Sequence, residues 1–139
     1  MNRLSTWLIL GMMVCALSSN AMAQASFTAL GTPYTQNFNT LVTTANAVWT
    51  DNSTIADWYH ARSGNGNLIL AGNGSSNSGA LYSFGTGTDV DRALGSVGSS
   101  NAAVGNLWWG VRFVNNTGTT ITALDISYYG EEWRYSGTA

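Results

Sequence analysis

The chain contains no lysine. Arginine supplies all of its positive charge, and charged residues make up only 9% of the sequence. A nucleic-acid surface neutralises phosphates with a basic stripe. Here Arg62, Arg92, Arg112 and Arg134 are scattered and the formal net charge is −2, so nucleic acid is excluded as a partner. Cysteine occurs once, at Cys15, which removes intrachain disulfides and thiolate metal sites. Histidine also occurs once, at His60. Asp57 and His60 are three apart, and on a strand positions of that spacing face opposite ways. A relay of Asp57, His60 and a serine therefore lacks the required convergence, and His60 reads as a structural or surface histidine. The sequence argues against an enzyme, and it implies no cofactor.

Long hydrophobic runs are also missing, apart from one near the start. Arg3 precedes the apolar stretch WLILGMMVCAL (7–17), a polar Ser18-Ser19-Asn20, and then Ala21-Met22-Ala23. That order is a secretory signal with an A-x-A cleavage site. The apolar run is shorter than the roughly 20 residues of a membrane-spanning helix. We therefore expect a signal-peptide helix within residues 1–23, cleavage between Ala23 and Gln24, and a single domain over 24–139 with no stable membrane span. Cys15 follows Met13 and Val14 rather than a small residue, which disfavours lipid attachment. The chain is expected to be secreted, extracellular or at a bacterial cell surface.

What remains is rich in Gly, Asn, Ser and Thr, which interrupt short apolar stretches. This is the pattern of many short strands joined by turns. Candidate strands are SFTAL (26–30), YTQNFNTL (34–41), AVWT (47–50), DWYHAR (57–62), NLILA (67–71), ALYSFG (80–85) and RALGSV (92–97). LWWGVRFV (107–114) alternates, with Trp109, Val111 and Phe113 on the face expected to be core and Trp108, Gly110 and Arg112 on the other. TTITALDISYYG (119–130) alternates again, grouping Leu124, Ile126 and Tyr128. With NNTG (115–118) as a turn, these two segments predict an antiparallel hairpin. The fold class expected is all-β, an antiparallel β-sandwich of jelly-roll type.

Candidate chemistry is sparse. Glu131 and Glu132 are adjacent and diverge if extended, unlike the convergent carboxylates of a glycosidase. Asp89 and Asp91 share a face and form a calcium candidate, set against their use as turn residues that bond their own backbone. GNGN and GNGSSNSG lack the Lys-Ser/Thr of a phosphate loop. Tryptophan and tyrosine occur six times each. Exposed rings of this kind pack against sugar faces, which nominates Trp108, Trp133 and Arg134 as binding residues. At the C-terminal end, Glu132 and Arg134 are expected to pair across one face while Trp133 packs inward.

The segments YTQNFNTL, DWY, SGALYSFG, DRALGS and GVRFVNNTGTTITALDISYYGEEWR, in that order, resemble an N-terminal domain of secreted bacterial proteins. Such proteins are often sorted by a PEP-CTERM tail or joined to extracellular modules. The resemblance spans residues 30–134, with Glu132 where glutamine and Tyr129 where threonine are usual. It implies a β-sandwich, an export route and further strands beyond Ala139, so that the domain is expected to be incomplete at its C-terminus. It carries over no catalytic residues. The function expected is structural or adhesive, with an extracellular glycan or matrix as partner. The alternative is the accessory front end of a secreted nuclease or phosphatase.

Overall fold

The structure, a computed structural model, describes residues 23–135. The expected signal helix, with Ala21, lies outside the described residues, and Ala23 and Gln24 lead directly into the first strand.

The chain is all-β, and no helix forms among the described residues. The strands are β1 (Ala25–Phe27), β2 (Ala47–Val48), β3 (Trp58–Arg62), β4 (Leu68–Gly72), β5 (Ala80–Phe84), β6 (Ala93–Val97), β7 (Leu107–Val111) and β8 (Phe113–Asn115). They assemble into a four-stranded sheet, β2-β4-β5-β6, and two pairs, β3-β7 and β1-β8. The β2–β4, β5–β6 and β3–β7 pairings are antiparallel, whereas β4–β5 and β1–β8 are parallel. The four-stranded sheet is thus mixed and the β1–β8 pair parallel, where a uniformly antiparallel arrangement was expected.

Strand alternation divides the four-stranded sheet into two apolar faces. Ala47, Ile69, Leu81 and Leu94 fall on one face through the ladder pairings. There they meet Leu41, Trp49, Ile55, Phe38, Val42 and Trp58 in the larger core cluster. Ile69 and Leu81 are completely buried, each removing about 1.5–3 kcal/mol of apolar side chain from water. Leu70, Ala80, Tyr82, Phe84, Ala93 and Val97 fall on the other face and form a second cluster, capped by Trp133. Trp58 on β3 joins the first cluster, so the β3–β7 pair lies beside that core.

Three expectations are corrected. The 107–130 hairpin does not form. Leu107–Val111 pairs with β3, and the backbone breaks at Arg112. Phe113–Asn115 then pairs with β1. Residues 119–130 make no ladder, and Leu124, Ile126, Tyr128 and Tyr129 are exposed. Alternation records which residues share a face but does not select the neighbouring strand, and β3 and β1 take the available edges.

Trp109 and Phe113, expected in the core, are 37% and 40% exposed. Trp109 does lie on the face opposite Trp108, level with His60. A two-stranded sheet, however, is too narrow to cover so large a ring. Phe113, beyond the break, stacks on Phe27 at 4.9 Å and meets Tyr34 edge-on at 5.2 Å.

YTQNFNTL forms no strand either. The Gln36 side chain accepts from Phe38 N, and Asn37 Oδ1 accepts from Asn39 N, the local bonds by which such residues compete with ladders. Phe38 has φ 61°, outside the extended region. The burial alternation survives without the strand: Tyr34, Gln36 and Phe38 are half-buried while Thr35, Asn37 and Asn39 are exposed.

Candidate functional site: the outer face of the β3–β7 pair

The β3–β7 register places Ala61 opposite Trp108 and Tyr59 opposite Gly110. Directly opposed residues share a face, so these four form one surface, away from the side occupied by Trp58, His60 and Trp109. Trp108 is 54% exposed. Its neighbours on the surface are small: Ala61 across the ladder and Gly110 two residues along. A Cβ built at Gly110 would meet nothing within 4 Å. The indole therefore stands beside an open floor rather than among competing side chains.

Trp108 also borders a shallow groove of about 420 Å³, lined with it by Ser96, Ser99, Asn106 and Leu107. The sequence brings these together through two loop constraints. The Ser63 hydroxyl accepts from Asn106 N, and Ser63 N donates to Asn106 O, joining the end of β3 to the start of β7. Asn101 Oδ1 accepts from Ala103 N, shaping the turn before it. The groove thus combines an aromatic ring with hydroxyl and amide groups and carries no charged residue in its lining.

Arg112 closes the other end of the face. Its guanidinium lies 4.1 Å above the Tyr59 ring centroid, a cation–π contact. The Tyr59 hydroxyl donates to the Ala23 carbonyl oxygen, and cleavage after Ala23 would remove that acceptor. Arg112 was not singled out from the sequence. The alternation of Trp108, Gly110 and Arg112 was visible there, but its cross-strand neighbours Tyr59 and Ala61 were not.

The other nominated residues lie elsewhere. Trp133 is half-buried and stacks on Phe84 at 6.0 Å, which in turn stacks on Tyr82 at 4.9 Å. Its Nε1 donates to Glu131 Oε2 at 2.7 Å. Arg134 does not make the expected pair with Glu132; its Nη1 donates to the carbonyl oxygens of Gly74 and Ser75 at 3.2 and 3.1 Å. Trp133 packs inward as expected, on the far side of the four-stranded sheet from the core beside β3. Trp133 and Arg134 together clamp the chain's last described residues and do not join Trp108.

Asp89 and Asp91 form a turn in which Asp89 Oδ1 accepts from Asp91 N at 3.2 Å. No group of three metal-ligating side chains occurs among the described residues. The carboxylate beside His60 is Asp51 rather than Asp57. Asp51 Oδ1 accepts from His60 N and from Trp49 Nε1, each at 2.8 Å. His60 Nε2 is buried without a hydrogen-bond partner among the described residues. Burial lowers the His60 pKa below its ordinary value, Arg62 lowers it further, and Asp51 opposes both. The neutral imidazole packs edge-on against Trp49, with ring centroids 6.1 Å apart.

No family model, curated protein or solved structure matches this chain.

Proposed function

We propose that this chain is a secreted, non-catalytic bacterial domain that binds an extracellular glycan through the outer face of β3 and β7, serving an adhesive or matrix role. The observation carrying this reading is the half-exposed Trp108, set beside Ala61 and the open position at Gly110 and bordering a groove of serine and asparagine. An aromatic ring takes the apolar face of a sugar. Neighbouring hydroxyls and amides donate and accept in the directions that sugar hydroxyls require. Arg3, the apolar run 7–17 and the Ala21–Ala23 site support export. The order of segments resembling secreted, PEP-CTERM-type proteins supports a place at the cell surface.

The test is a carbohydrate array probed with the full chain and with Trp108→Ala. Wild type is expected to retain a defined set of glycans that Trp108→Ala loses, while circular dichroism of the two is the same. Retention of the same set by Trp108→Ala, or of no glycan by wild type, refutes the reading. Sequencing of the exported protein is expected to begin at Gln24.

A further inference from the structure

The cation on this face lies outside the groove beside Trp108. Arg112 is exposed, and the Tyr59 ring supports its guanidinium from below. We propose that the face binds an acidic polysaccharide, with Trp108 stacking on a sugar ring and Arg112 taking the anionic group of a nearby unit. This rests on the glycan reading above and adds the charge of the ligand.

Three features carry it. Trp108 and Gly110 share one face of β7, and Arg112, just past the end of the strand, reaches the same side by lying over Tyr59; their backbone positions are about 13 Å apart for extended chain. An extended polymer spans that distance with successive units, which a single small sugar does not. The position between them on β7 is open, because Gly110 contributes no side chain and its Cβ direction is empty, while the buried Tyr59 ring lies across from it. Finally, the guanidinium is held in advance. Its carbon lies 4.1 Å from the Tyr59 ring centroid, and the side chain is exposed, so N–H donors remain free to meet a ligand. A planar guanidinium pairs with carboxylate or sulfate through two parallel hydrogen bonds, roughly twice as strong as bonds to neutral hydroxyls.

Uronate and sulfate esters present the same anionic chemistry. The experiment uses both, as alginate and polygalacturonate on one arm and dextran sulfate on the other, with neutral dextran and xylan as a third. Affinity electrophoresis of the full chain is expected to show retardation by at least one acidic polymer. Trp108→Ala should abolish it. Arg112→Gln should weaken it about tenfold or more without altering the response to neutral polymers. Gly110→Val is the structural control, since its side chain enters open space and suits a strand. It should leave thermal unfolding unchanged and block retardation by filling the floor.

Equal retardation by neutral and acidic polymers, unchanged in Arg112→Gln, overturns this inference and leaves the glycan reading standing. Retardation by acidic polymers that persists in Trp108→Ala and vanishes in salt overturns it as well, as diffuse charge attraction. No retardation by any polymer overturns both.

Discussion

Arg92 grips Ser83 twice, donating from Nε to the Ser83 hydroxyl at 2.9 Å and from Nη2 to the Ser83 carbonyl oxygen. The hydroxyl passes the connection on to the Val42 carbonyl at 2.7 Å. Arg92 is only 3% exposed, and Ser83 is fully buried. A buried cation is thus the fastener between the central strand β5 and the loop that delivers Leu41 to the core. Ser83→Ala leaves the Arg92 Nε and the Val42 carbonyl without their partner. It is expected to cost about 1–3 kcal/mol, measured by urea denaturation. Because part of that cost is the Arg92 Nε left without a partner, Ser83→Ala combined with Arg92→Met should be less destabilised than the sum of the single variants.

Gly85 is expected to be intolerant for a related reason. A Cβ there would collide with the Arg92 guanidinium, which fills the space beside the residue. Gly85→Ala should destabilise by about 1–3 kcal/mol through overpacking. Arg92→Met should relieve part of that loss. Equal costs in both backgrounds, read from paired denaturation curves, would contradict the collision.

His60 sets an acid limit on stability. Its folded-state pKa lies below the ordinary 6.5, because burial disfavours the imidazolium and Arg62 repels it, with Asp51 partly compensating. The unfolded chain therefore binds this proton more readily than the native one. The contribution is fully present above the unfolded value and is lost as pH falls from there toward the folded value. Stability measured from pH 7 down to pH 5 should decline in wild type. His60→Gln should decline less over the same range.

Trp133 anchors an otherwise exposed stretch of chain. It stacks on Phe84, its carbonyl abuts Gly74, and Arg134 bonds the adjacent carbonyls. Gly74 has φ +83°, a conformation that glycine adopts without strain. Trp133→Ala should cost about 1–3 kcal/mol. It should also speed limited proteolysis within 119–132.

The apolar residues of 119–130 should behave as surface positions. Leu124 is 57% and Ile126 80% exposed. Ile126→Ser is expected to change stability by no more than about 0.5 kcal/mol. A buried sheet position at that residue would lose several times as much, so one denaturation curve separates the observed structure from the hairpin expected by pattern.

Most of the strand content was legible because short alternating runs bounded by Gly, Asn and Ser leave little else for the backbone to do. The runs at 47–50, 57–62, 67–71, 80–85, 92–97 and 107–114 each overlap an observed strand, the last of them two. Pairing was not legible. Nothing local in LWWGV indicates that its partner is WYHAR, some fifty residues earlier, rather than the neighbouring TTITALDIS. The face assignment of Trp108 was correct, since it follows from period alone. The burial of Trp109 was not, since that depends on how wide a sheet stands over it. Asp51 was overlooked beside His60 because the contact runs through the His60 backbone N–H, which no side-chain spacing announces.

The parallel pairing of β1 with β8 bears on how the domain folds. Ala25 lies beside Phe113 and Phe27 beside Asn115, so the earliest strand has no ladder until almost ninety residues more are available. The sheet of β2, β4, β5 and β6 is built from residues 47–97 alone. Closing the longer loop costs more chain entropy before any contact rewards it. The four-stranded sheet is therefore the natural first-formed unit. The β1–β8 clasp is expected to close later, and slowing the appearance of residues 113–115 would prolong the life of a form in which Ala25–Phe27 is still unpaired.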